Sequence, residues 1–382
     1  MPKADTSVKW FHSDMPGAPV LRGEPGALIE LLDACLINGF DPRTPDSITV
    51  AGEVATVTLG GGNPFERHAV VTITGASAAG LNAEWRIATS AASSFTFACP
   101  GVADGTATGA SVRRAPAGWG KPFSAANKGV YQSADPLSTQ LYLRVDDTDA
   151  RYTRVRGYES MTGVDTGTGL FPTLAQHAET LWTWLKSTTA DTTPHKWRLF
   201  ADGRFFWLLL DGRVGYAPTP NLFGDVIKVL PSDAYHCLIA ANISASPANN
   251  GEGHAGTNLT SNSTTRRYFA RAIGQTGGPV PHYGTALAAV NDWCGTAFSA
   301  APNAAGDVYI GSEVFLQDSE AWTGAHRGRL PGIRSSIQTN IGADLTVLEA
   351  GGRAYMVVEQ ARGNNAPSGG GFAFVDITGP WR

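Results

Sequence analysis

The 382-residue chain carries a formal net charge of −4 and a pI near 6.1, so it has no basic field to draw in nucleic acid or acidic lipid. Hydrophobic residues reach 42%, enough for a real core, while charged residues reach only 16%, well below the roughly 25% of an average soluble domain. With 45 Gly, 23 Pro and 10 Trp, this composition excludes a disordered tail and favours a β protein with broad contact surfaces.

The length fits two domains, or one large domain carrying an insertion. Cys35, Cys99, Cys237 and Cys294 form no C-x-x-C spacing and are expected as buried free thiols. The polar opening residues are followed by no apolar core, so no signal peptide is expected. The longest strongly apolar run, 205–210, falls far short of the roughly twenty residues of a membrane helix. A soluble protein made in the cytoplasm is expected.

After an irregular start, Leu28, Leu31, Leu32, Cys35 and Leu36 recur at helical spacing behind Pro25, with Gly39 as the stop. Residues 46–115 then alternate in short runs broken by Gly, Asn and Ser, which predicts a small β-sandwich or barrel-like module. Within it Phe95 and Phe97 share one face. The helix needs a larger partner than this module, so 1–45 and 116–382 are expected to form one main domain with the module inserted at a surface edge. Residues 115–122, rich in Pro and Gly, are expected as the returning linker.

Alternation predicts strands at 140–146 and 152–158, joined by an acidic turn. A second helix is expected after Pro172, with Leu174, Ala178, Leu181, Trp182 and Leu185 on one face. Asp202-Gly203 between apolar runs predicts a hairpin of 196–201 and 204–210. The second of these, apolar on both faces, belongs at the centre of the core. Strands follow at 225–230 and 235–241, a hairpin around Gly351-Gly352 at 345–359, and a closing strand at 372–377. Residues 244–265, polar and rich in Asn, Gly, Ser and Thr, predict a long exposed loop or interaction arm. The fold class is therefore mainly β with minor α: an antiparallel main domain with two helices and an inserted small β module.

The chain has no nucleophile elbow, zincin helix or phosphate loop. Its eight His are scattered, with no metal-ligand spacing. Asp146, Asp147 and Asp149 offer hard oxygen ligands for calcium but lack the Gly and Glu of an EF-hand loop, and a solvated turn is expected instead. No catalytic residue, metal or cofactor is expected. Trp119, Trp293, Trp322 and Trp381 are candidates for an exposed sugar platform or protein interface. Asn249, Asn250, Asn258 and Asn262 are candidates for hydrogen bonds from the 244–265 arm to a neighbour.

The runs 63–76, 80–87 and Phe95-Thr96-Phe97 resemble a small β module of tailed-bacteriophage structural proteins, in which a V-x-I-x-G-A strand is followed by G-x-N-G and F-T-F/Y. Ala83 departs from the pattern, which has Gly there. Segments 13–19, 327–332 and 379–382 resemble pieces of phage and prophage virion proteins. The resemblance implies a non-enzymatic virion protein assembled in multiple copies in the host cytoplasm, tail, neck or baseplate associated. Its partners would be copies of itself and other virion proteins. A capsid decoration or head-associated protein and a host-surface carbohydrate-binding protein are the alternatives.

Overall fold

A computed structural model describes residues 2–212, 218–243, 267–275, 277–281, 283–286, 308–317, 326–336, 341–360 and 372–382. The described chain is mainly antiparallel β. The run Phe205–Leu210 is buried on both faces, as its unbroken apolar sequence requires. It lies inside a seven-stranded sheet ordered Lys9–His12, Trp197–Ala201, Phe205–Leu210, Thr219–Asp225, Cys237–Ala240, Arg267–Phe269 and Val280–Pro281. The turn at 202–205 is pinned by Asp202, whose Oδ1 accepts the N–H groups of Arg204 and Phe205, both at 2.8 Å.

A six-stranded sheet packs against it: Trp119–Ala125, Lys128–Ser133, Tyr142–Asp146, Tyr152–Tyr158, Trp182–Leu185 and Asn242–Ile243. Trp119 and Trp184 both meet Phe206 edge-on, at 5.3 and 6.1 Å between ring centroids. A third sheet holds Tyr283–Ala286, Ile310–Gln317, His326–Ser336, Phe372–Asp376, Arg353–Glu359 and Val347–Ala350. Its last two strands form the expected hairpin, with Gly351 and Gly352 at φ 60° and 75° filling a two-residue turn that non-Gly residues strain to enter.

The first helix forms where its periodicity places it. Ala27–Leu32 continues into a wider-wound segment, Asp33–Asn38, and buries Leu28, Leu31, Leu32, Cys35 and Leu36. It stops at Gly39 (φ 69°), where an added Cβ would overlap the Arg114 carbonyl oxygen. The module follows as a two-sheet sandwich. One sheet runs Thr89–Ala91, Ser94–Ala98, Val54–Thr58, Ser47–Ala51 and Gly105–Ala107; the other runs Phe40–Arg43, Ser111–Arg114, Val70–Thr74 and Glu84–Arg86. Phe95 and Phe97 point inward, the latter stacked on Trp85 at 4.9 Å. Such pairs add about 0.5–1.5 kcal/mol beyond the area they bury.

Four expectations are corrected. The second helix is absent: Glu179–Leu181 is a single tight turn, Leu174 is exposed, and Trp182–Leu185 is a fully buried strand on Tyr152–Tyr158. Trp182, Thr183 and Trp184 fill both faces of a pleat, so period two wins over period 3.6. The linker at 115–122 instead enters the edge strand Trp119–Ala125, where Pro122 is tolerated beside a register shift. The strand at 225–230 splits, because Thr219–Asp225 ends at Asp225 and only Ile227–Lys228 goes on, to pair with the third sheet. Finally, the acidic turn is solvated only in part: Asp146 and Asp147 are buried, whereas Thr148 is exposed and Asp149 half-buried.

Candidate interaction site at the module seam

Loop 63–68 of the module is held from within. The Asn63 amide donates to the carbonyls of Phe65, Ala91 and Ser94 and to the Ser90 hydroxyl, and its own oxygen accepts the Phe65 N–H. Beneath the loop, buried Arg114 donates to Glu66 and to the Pro64 carbonyl while its guanidinium lies over Phe40 and Phe65. His68 sits in the left-handed region at φ 68°, which costs a β-carbon-bearing residue energy. That conformation turns its carbonyl toward Trp10 Nε1 (3.4 Å) and Arg86 Nη1 (2.7 Å).

Arg86 is the hub of the seam. Besides His68 O it donates to the carbonyls of Asp5 (2.6 Å), Val8 (3.0 Å) and Ile377 (2.6 Å), tying one module strand to both ends of the main body. Burial pulls its pKa down to about 10, so it stays charged at neutral pH. Lys9–Glu84 (2.8 Å) and the Phe11–Phe40 ring contact flank it.

A cleft of about 420 Å³ opens along this seam. Trp10, Leu345 and Met356 supply apolar walls, and His12, Glu66, Arg67 and Glu349 supply the polar groups. Glu349 from the C-terminal hairpin reaches across to Arg67 and to His68 Nε2 (3.1 Å), closing a clasp between hairpin and module. Beyond the clasp a second hollow of about 280 Å³ continues over Gly351, Gly352 and Thr378. Burial lowers the pKa of both His12 and His68, outweighing the pull of Glu66 on the first and of Glu349 on the second. Both imidazoles are therefore neutral at pH 7 and able to donate and accept. The seam can hold an uncharged, hydrogen-bonding group against an apolar wall.

The predicted site residues fall elsewhere. Trp119 is 5% exposed, and its Nε1 donates to the Asp202 carbonyl at 3.0 Å. It fills the core between two sheets and offers no interface. Trp381 is likewise buried, donating to the Asp376 carbonyl. Asn249, Asn250, Asn258, Asn262, Trp293 and Trp322 lie outside the described residues, as does the 244–265 arm. Among the described residues no three His, Cys, Asp or Glu side chains are grouped to hold a metal. Sequence reasoning missed the seam because His12, Glu66, His68 and Glu349 come from three separate stretches of chain. The usable signal was Arg86, a charge alternating with apolar neighbours in a strand otherwise fit for the core.

No protein-family model matches the chain, and no curated protein sequence matches it. What the chain does is read from its own residues.

Proposed function

We propose that the chain is a non-enzymatic structural protein of a tailed-phage or prophage virion, assembled in multiple copies and associated with tail, neck or baseplate. The observation that carries this reading is where the phage-like residues fall. Val71, Ile73, Trp85, Phe95 and Phe97 all build the interior of one closed sandwich, and that sandwich is fastened to a larger β body through Arg86. A module tied to its body by several hydrogen bonds of one arginine suits a particle whose parts meet in fixed register. Particles separated into heads and tails and analysed by mass spectrometry test the reading. Recovery with tails supports it, recovery with heads favours capsid decoration, and absence from both overturns it.

A host-surface glycan is the second reading, favoured by the seam cleft, where an indole wall lies beside neutral imidazoles and carboxylates. Binding on a glycan array that is lost in Glu66→Gln supports it.

A further inference from the structure

Two segments that stand out in the sequence, 327–332 and 379–382, meet in the fold around a polar groove. Strand His326–Ser336 is bulged against its neighbour: between the pairs Phe315↔Arg329 and Glu313↔Arg334 one strand advances two residues and the other five. Gly332, inside the bulge at φ 68°, has no room for a side chain, because an added Cβ would overlap the Trp381 indole. Trp381 is thus seated under the bulge. The space above it, about 310 Å³, is walled by Arg329, Arg334, Arg353 and Arg382, with Glu313 and Asp376. Four guanidiniums face two carboxylates, in a chain whose net charge is −4.

The pairing inside the groove is incomplete. Glu313 is shared between Arg329 at 3.3 Å and Arg334 at 3.5 Å, both longer than the roughly 2.7–2.9 Å of a tight charge-assisted bond. The Nε of Arg329 is buried with no hydrogen-bond partner among the described residues. The side chains of Arg329 and Arg334 are 42% and 36% exposed, so a ligand reaches them from solvent. Arg353 is held by Asp376, and Arg382 by Asp202 and the Asp225 carbonyl, which fixes the other walls. Arg327, in the same segment, is fully buried on Asp233 and belongs to the core.

We propose that this groove binds carboxylates of an acidic polypeptide segment, with Arg329 and Arg334 as the receiving forks. A planar carboxylate matches the guanidinium fork in two-point contact. Glu313, Asp376 and Asp202 already line or border the groove and would repel the dense charge of a polyphosphate or nucleic acid, whereas one or two side-chain carboxylates balance the excess. The proposal concerns a different surface from the seam and does not rest on the virion reading.

The test uses the full chain and a fluorescein-labelled hexaglutamate peptide, read by anisotropy. Saturable binding is expected, weakening with added salt and falling at least about tenfold in Arg329→Gln/Arg334→Gln. A hexaglutamine peptide is expected not to bind. Circular dichroism melting establishes that the variant is folded, and each single substitution repeats the measurement should the double one unfold. Absence of saturable binding, equal binding by folded variants, or tighter binding of a duplex oligonucleotide than of the peptide overturns the proposal.

Discussion

The Asp147 carboxylate serves as the missing cap of a helix that begins far earlier in the chain: its Oδ2 accepts the backbone N–H of Leu28 at 2.8 Å. Gly26, the residue before that helix, has no side chain to cap it. Asp147 Oδ1 accepts from Thr153 and from Lys186, each at 2.5 Å, and Lys186 also donates to the Glu24 carbonyl. Both members of the pair are 0% exposed. Burial pushes the Asp147 pKa up and the Lys186 pKa down, so each charge persists only because the other is present. Asp147→Ala strands a buried ammonium and is expected to cost about 3–5 kcal/mol. Asp147→Ala/Lys186→Met is expected to recover part of that loss. Urea denaturation of the three proteins decides it, and equal losses in the single and double variants would show that the charge pairing is immaterial.

Arg86→Leu is expected to loosen the seam. Four backbone carbonyls lose the Arg86 donor at once, His68 O keeping its longer bond from Trp10 Nε1, at a cost on the order of 3–5 kcal/mol. Among the described residues the strands of the module pair only with one another, so the loss should concentrate where the module meets the body. Hydrogen exchange is expected to quicken at residues 5–10, 67–70 and 376–378, with Phe205–Leu210 unchanged. Uniform acceleration across all sheets would argue against a localised hub.

Acid should destabilise the protein from just below neutral pH. Burial holds His12, His68, His195 and His236 below the ordinary value of 6.5. Above pH 6.5 these groups are neutral folded and unfolded. As pH falls through 6.5 the unfolded chain takes up protons first, so stability is lost from there down to the folded values. Asp211 opposes this, since burial raises its pKa to about 6 and the folded state then binds its proton more tightly than the unfolded one. Asp211→Asn is therefore expected to raise stability at pH 7.5 by roughly 1–3 kcal/mol, with the gain gone near pH 4. Melting temperatures at pH 7.5, 6.5, 5.5 and 4 check both statements, and a gain that persists at pH 4 would contradict the second.

Much of the sheet architecture is legible in the sequence, because alternation and turn chemistry are local. Phe95 and Phe97 face inward, Phe205–Leu210 is central, and Gly351-Gly352 turns the last hairpin, all as their own neighbours dictate. Lys9–His12 escapes notice because Trp10 and Phe11 are buried on opposite sides by elements distant in sequence. The acidic turn misleads for the same reason: Asp147 looks solvated until Leu28 and Lys186 are brought to it. The seam is the extreme case, since Glu349 meets Arg67 and His68 only after the module and the C-terminal hairpin have folded.

The module offers the most direct test of how the chain is divided. Among the described residues its nine strands pair only with one another, and they include Phe40–Arg43, which pairs with Ser111–Arg114. A fragment of residues 39–116 therefore contains every strand of both sheets and the inward residues Val57, Ile73, Trp85, Phe95 and Phe97. At this size a domain is only marginally stable alone, and the fragment also gives up three of the four carbonyl partners of Arg86, those of Asp5, Val8 and Ile377, keeping only His68 O. It is nevertheless expected to melt cooperatively, because no internal strand loses its neighbour. A fragment begun at residue 46 lacks Phe40–Arg43, exposes the edge of Ser111–Arg114 and uncovers Arg114, so it is expected to melt well below the longer one. Thermal denaturation followed by far-ultraviolet circular dichroism compares the two. If they melt alike, Phe40–Arg43 contributes nothing to the sandwich and the boundary belongs at residue 46.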